Sequence, residues 1–145
     1  MKKILLFGLA AMWLFVSCQV ARSGYEEDTW WFVKEFTVHS NDWKLVNKVN
    51  GLDSYYERTV SINELTREIF KKGQVSCYMY RDGDTQTLLP ISIHYGESVD
   101  ESEYFWTETY NCEFSVHSIT FTVNYSDFRT DIRPPTTKFK VVLIN

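Results

Sequence analysis

Residues 112–125, CEFSVHSITFTVNY, contain two apolar alternations of opposite parity. Cys112, Phe114 and Val116 fall on even positions, whereas the apolar residues after His117 fall on odd positions: Ile119, Phe121, Val123 and Tyr125. Because successive side chains of a strand point to opposite faces, a single strand would leave one of these sets in water. The pattern therefore predicts two strands separated by a turn or bulge at His117-Ser118.

Further strand-like segments lie on both sides of this pair. Asn50-Gly51 is a typical two-residue hairpin turn, and Pro90 divides the segment 85–95 into a strand pair or one bent strand. Residues 96–103, GESVDESE, are acidic and are expected to form an exposed loop. The remaining aromatic and β-branched segments are 30–39, 42–49, 54–60, 74–81, 104–110 and 138–144. Together they predict an all-β fold, an antiparallel β-sandwich of the Ig-like or jelly-roll-like kind.

One segment departs from the strand pattern. Residues 61–72, SINELTREIFKK, carry apolar side chains at helical spacing and predict one short helix near residues 62–72. Ser61 and Glu64 have the spacing of a capping box at its start. Gly73 is expected to close the helix in the left-handed conformation.

The N-terminus has the three parts of an export signal. Lys2 and Lys3 precede an apolar run over residues 4–16, which is too short to span a bilayer core of about 30 Å. The following Ser17-Cys18 completes a segment that resembles the lipobox of bacterial lipoproteins, with Phe15 in place of the usual Leu. This resemblance implies a signal peptide over residues 1–17, lipid attachment at Cys18, a lipidated tether over residues 18–29 and a domain over residues 30–145.

The charge of the chain excludes one class of partner. Loss of Lys2 and Lys3 with the signal peptide takes the net charge from −4 to −6. A nucleic-acid binder needs clustered Lys and Arg to neutralise phosphates, so we expect no nucleic acid among the partners. Gln19 follows the lipid cysteine where an Asp would favour inner-membrane retention in enterobacteria. We therefore expect a membrane-anchored protein of the cell envelope, at the outer membrane.

The order of the motifs resembles a family. After the lipobox and the helix come Gly73-Gln74-Val75-Ser76-Cys77-Tyr78-Met79-Tyr80, then Leu88-Leu89-Pro90, Tyr125-Ser126-Asp127-Phe128 and Phe139-Lys140-Val141-Val142-Leu143-Ile144. This order is similar to that of small lipoproteins of Bacteroidetes-type gut bacteria, a group with no assigned activity. Some of those carry a collagen-like segment after the lipid cysteine, and no such repeat is present here. The resemblance implies a compartment and a fold class but no mechanism.

The residue types that carry chemistry do not form a recognised motif. His39, His94 and His117 each stand alone, which predicts no metal site and no cofactor. Neither a nucleophile motif nor a phosphate-binding loop is present, so no catalytic residue is predicted. Export places Cys77 and Cys112 in an oxidising compartment, where they form either a disulfide or two buried thiols.

Aromatic residues make up 17% of the chain and provide the only functional signal. Tyr78 and Tyr80 alternate with Cys77 and Met79, and Trp106 follows the acidic segment. If exposed, Tyr78, Tyr80 and Trp106 form a possible ligand platform for a glycan or an envelope protein; otherwise they pack in the core. We expect a non-catalytic binding or structural role. The alternatives are a glycan-binding surface module and a periplasmic enzyme or enzyme inhibitor.

Overall fold

The computed structural model describes residues 30–47 and 53–145. The predicted signal peptide, Cys18, the tether and the Asn50-Gly51 turn lie outside the described residues. Within them, the strands are β1 (Trp31–Val38), β2 (Lys44–Val46), β3 (Tyr55–Ser61), β4 (Gln74–Tyr80), β5 (Gln86–Leu88), β6 (Ile91–Val99), β7 (Ser102–Ser115), β8 (Ser118–Tyr125) and β9 (Thr137–Ile144). A 3-10 turn (Ser40–Asp42) and helix α1 (Arg67–Lys72) complete the described elements. No helix in this part of the chain is both long and apolar enough to cross a membrane.

The strands form two antiparallel sheets. One sheet has the order β1-β9-β4-β5 and the other β2-β3-β8-β7-β6. Alternate residues of each strand face the partner sheet, so the inner faces enclose a single core. This architecture confirms the predicted all-β sandwich.

Aromatic stacking joins the two sheets at the centre of the core. The rings of Phe121 on β8 and Phe139 on β9 stack with centroids 4.0 Å apart, and both side chains are fully buried. Trp43 meets Phe139 edge-on at 6.2 Å. A disulfide between Cys77 of β4 and Cys112 of β7, with Cα atoms 6.4 Å apart, also crosses from sheet to sheet.

The two predicted interruptions of the strand pattern are present. β7 ends at Ser115 and β8 begins at Ser118, with His117 between them at a φ of 65°. The parity change therefore marks a tight hairpin turn. At Pro90 the chain leaves the four-stranded sheet after β5 and enters the five-stranded sheet as β6, which confirms two strands rather than one bent strand.

The predicted helix is shorter than expected. It begins at Arg67 with Thr66 as its N-cap, and Ser61 belongs to β3, so the predicted Ser61–Glu64 capping box is wrong. The backbone of residues 62–65 is held by the β7–β8 turn instead: the Ile62 amide donates to the His117 carbonyl, and the His117 amide donates to the Leu65 carbonyl. These tertiary bonds outcompete helical ones while Ile62 and Leu65 remain fully buried.

Gly73 ends the helix, but not in the predicted conformation. Its φ of −86° is not left-handed, so that expectation is wrong. The position requires glycine for a different reason. A Cβ atom at residue 73 would lie 2.3 Å from the carbonyl oxygen of Ile144 and 3.0 Å from Ile69.

Substitution of Gly73 by Ala is therefore expected to destabilise the domain by more than about 1 kcal/mol, because the strand β9 backbone must move to accept a methyl group. The measurement is the midpoint of a urea unfolding curve. Gly96→Ala is the matched control, because its closest Cβ contact, at 2.9 Å, is with the ring of Phe105, an exposed side chain that can move. Equal midpoints for the two variants would contradict a close-packing role for Gly73.

The acidic segment is not a loop. Residues 96–99 belong to β6, and Ser102 and Glu103 belong to β7, so the two strands continue as a hairpin to a two-residue turn. Asp100 and Glu101 form that turn with φ values of 48° and 65°. Asp tolerates this conformation, and the pairing of β6 with β7 overrides the low strand propensity of the sequence.

Candidate functional site

The three residues of the predicted ligand platform do not share a surface. Tyr78 and Tyr80 lie on the outer face of the four-stranded sheet, because their neighbours Cys77 and Met79 point into the core. Trp106 lies in the other sheet and shares the parity of Cys112, the inner face. The platform as predicted is therefore not formed.

Lysine side chains cover the two outer-face tyrosines. The ammonium of Lys140 lies 4.6 Å from the ring centre of Tyr78, and that of Lys138 lies 4.5 Å from the ring centre of Tyr80. Lys138 also pairs with Glu35 at 2.7 Å, and the Tyr80 hydroxyl donates to the same carboxylate. The Lys138 and Tyr80 hydrogen bonds lower the pKa of Glu35. Lysines of the neighbouring strand β9 therefore cover the ring faces of Tyr78 and Tyr80.

Trp106 belongs to a different aromatic group, on the β6–β7 hairpin. Its ring stacks on Tyr95 with centroids 5.3 Å apart and an interplanar angle of 17°, and it contacts Tyr104 at 6.0 Å. Tyr95 and Tyr104 are 38% and 41% exposed. Arg129 lies over the ring of Tyr104. We call Tyr95, Trp106 and Tyr104 the aromatic row.

The aromatic row leads into a cleft between the two sheets. This cleft has a volume of about 520 Å³. Its lining includes Tyr95, Tyr110, Arg81 and Asp82. Tyr80 and Lys138 lie at its border, and their side chains meet on the outer face of the four-stranded sheet. We call it the tyrosine cleft. Its size falls in the range of small-molecule sites, and its mixture of rings and few charges suits a polar ligand with an apolar face.

The buried carboxylate of Glu108 bonds Trp106 of the aromatic row and Tyr110 of the cleft. Glu108 is 9% exposed, and each of its oxygens has a donor: the Trp106 indole at 3.3 Å and the Tyr110 hydroxyl at 2.9 Å. Glu108 therefore fixes the orientation of one residue of the aromatic row and one wall of the cleft. Burial, then the charge of Glu108 and its hydrogen bond, raises the pKa of Tyr110 far above the ordinary value of 10.0. Burial of Tyr125, followed by the charge of Glu108, likewise raises the pKa of Tyr125.

The raised pKa of Tyr110 predicts how the stability of the fold changes at alkaline pH. Because the folded state holds the Tyr110 proton more tightly than the unfolded chain, its stabilising contribution is complete below about pH 10 and is lost as the pH rises further. Glu108→Gln removes the negative charge but keeps an acceptor. We expect the pKa of Tyr110 to fall in this variant while staying raised by burial.

The test is an NMR titration of the tyrosine ring carbons in the wild type and in Glu108→Gln. Tyr80 is the internal control, because the carboxylate that raises its pKa is Glu35 and not Glu108. An identical Tyr110 titration in the two proteins would contradict the role assigned to Glu108.

The remaining sequence candidates are dispersed. His94 bonds Thr107 at 2.9 Å and His117 bonds the Asn63 carbonyl at 3.0 Å, while His39 precedes the 3-10 turn. Across residues 30–47 and 53–145, no group of three or more His, Cys, Asp or Glu side chains is placed to hold a metal ion. The Cys77–Cys112 disulfide lines a separate depression of about 220 Å³ with Leu88 and Phe114.

The sequence contained a signal for this site that parity could have revealed. Trp106, Glu108 and Tyr110 alternate in phase with Cys112, which faces the core. An acid between two aromatics on a core face requires hydrogen-bond donors, and those donors are the flanking rings. The contribution of Tyr95 depends on the β6–β7 pairing and had no local signal.

The geometry defines a small antiparallel β-sandwich with a cleft between its sheets that Tyr95 and Tyr110 line. Comparison of the chain with protein-family models, with curated proteins and with solved structures gives no match.

Proposed function

We propose that this chain is a lipid-anchored protein of the cell envelope, held in the outer membrane through Cys18, whose domain binds a glycan in the tyrosine cleft without catalysis. The observation that carries the proposal is the continuous path from Tyr104 through Trp106 and Tyr95 into the cleft.

The chemistry of the path suits a sugar chain. A pyranose ring has one face made of C–H groups, which packs against an aromatic ring, and an edge of hydroxyls that need polar partners. Tyr95 and Tyr104 offer partly exposed rings, and the Tyr95 ring is held by its stack on Trp106. Arg81 and Asp82 at the cleft wall supply charged donors and acceptors.

Glu108 has a positioning role in this proposal. Both of its oxygens are engaged by Trp106 and Tyr110, so its carboxylate orients aromatic groups rather than facing the cleft ligand. This arrangement supports binding in a preorganised site.

Tyr95→Ala is expected to weaken glycan binding about tenfold, the equivalent of one aromatic contact. The measurement is retardation of the protein, from Gln19 onward, in native gels containing polygalacturonate as an acidic probe or galactomannan as a neutral one. Tyr78→Ala is the matched control, because that tyrosine lies on the outer face of the four-stranded sheet. Retardation lost in Tyr78→Ala and kept in Tyr95→Ala would overturn the assignment of the cleft.

A further inference from the structure

The end of the sandwich where the described chain begins carries four exposed aromatic side chains. Trp30 and Trp31 are 43% and 68% exposed, and Phe70 and Phe114 are 44% and 45% exposed. We call these four residues the aromatic rim. An exposed group of large apolar side chains marks an interaction surface rather than ordinary surface composition.

Strand and helix contacts bring the members of the rim to one end of the fold. Trp31 pairs with Ile144, which also pairs with Gln74 at the start of β4. Helix α1 ends immediately before Gln74, and its Phe70 meets Phe114 of β7 edge-on at 5.9 Å. β1 and β4 are therefore about two strand spacings apart, roughly 10 Å, and α1 and β7 extend the rim from β4 toward the other sheet.

The rim tryptophans are fixed by the sheet. The Trp30 carbonyl accepts a hydrogen bond from the Asn145 amide at 2.9 Å, and the Trp30 ring stacks on Phe32. Trp31 lies within β1, with Val33 next to it on the same outer face at 41% exposure. Ordering these side chains on a surface would therefore cost little additional conformational entropy.

We propose that the aromatic rim rests on the surface of the lipid bilayer, so that the domain stands on the membrane with the tyrosine cleft pointing away from it. This inference rests on the proposed anchor at Cys18. Only residues 19–29 separate Cys18 from Trp30, a reach of at most about 40 Å. The rim is the first part of the domain that the chain enters from the anchor.

The charge distribution favours the same orientation. Glu97, Asp100 and Glu103 lie at the tip of the β6–β7 hairpin, where lipid phosphates would repel them. The strand β7 runs over 14 residues from that tip to the rim, a length of about 45 Å. Lys71 and Lys72 lie at the rim end, in the last turn of α1. Tryptophan is the residue type enriched at membrane–water interfaces, because its ring is apolar and its N–H is polar.

The test uses the processed, lipidated protein reconstituted in phosphatidylcholine vesicles that contain brominated acyl chains, which quench nearby tryptophans. The processed chain has Trp30 and Trp31 at the rim, Trp43 in the core and Trp106 in the aromatic row. We expect strong quenching in the wild type and loss of most of it in Trp30→Phe/Trp31→Phe, which keeps the rim apolar. Trp106→Phe is the matched control and should keep the quenching.

Flotation of the same vesicles tests the lipid anchor at Cys18 separately from the position of the rim. Protein that floats and is quenched through Trp30 and Trp31 supports the inference. Protein that floats with rim tryptophans unquenched by lipid overturns it and leaves the anchor standing, whether the rim faces water or is covered by residues 19–29. Failure to float overturns the anchor, and the inference with it.

Discussion

Deletion of residues 138–145 is expected to abolish folding of the whole domain. These residues are almost the whole of β9, which lies between β1 and β4 and pairs with both. Phe139, Val141 and Leu143 are fully buried. Three such side chains contribute about 1.5–3 kcal/mol each, against a typical stability of about 5–15 kcal/mol. Without β9, strand β1 also loses its only partner among the described strands.

The measurement for the deletion is far-UV circular dichroism with a thermal melt of the chain from Gln19 onward. Deletion of Asn145 alone is the matched control and should leave a cooperative melt, since it removes one hydrogen bond to Trp30. A chain ending at residue 137 that melted cooperatively near the parent temperature would contradict the central position of β9.

Replacement of Cys18 by Ala is expected to eliminate the acylated form of the protein completely, because the thiol is the proposed attachment point. Two or more acyl chains, each contributing about 0.8 kcal/mol per buried CH₂, hold a protein stably in a bilayer. Mass spectrometry of the tryptic peptide that spans residues 18–22 measures the modification directly.

Ser17→Ala is the matched control for this substitution, because it keeps a small residue before the cysteine. We expect it to retain the acylated peptide. Detection of an unmodified peptide 18–22 from wild-type cells would contradict the lipoprotein assignment.

The strand pattern could be predicted because parity is a local property. The opposite parities around His117 and the position of Pro90 each locate a boundary that the structure contains. The start of the helix could not be predicted, because Ile62 and Leu65 form backbone hydrogen bonds with His117 in the β7–β8 turn. The acidic hairpin was missed for the same reason: its strands exist through their pairing with each other.

The candidate site was harder to predict than the fold. The alternation placed Tyr78 and Tyr80 on the face opposite Cys77 and Met79, but their cover by Lys140 and Lys138 depends on the neighbouring strand. Trp106 was recognised without its partner Tyr95, which comes from a strand opposite it. Strand order determines both sets of contacts, and strand order is not encoded in any one segment.

The claim that the tyrosine cleft binds a glycan is tested most directly by amide chemical-shift mapping during titration with an oligosaccharide of the retarding polysaccharide. We predict saturable shifts at Arg81, Tyr95, Tyr110 and Thr137, and little change at Tyr78. Saturable shifts confined to the outer face of the four-stranded sheet, or no saturable shift with either oligogalacturonate or oligomannan, would contradict the claim.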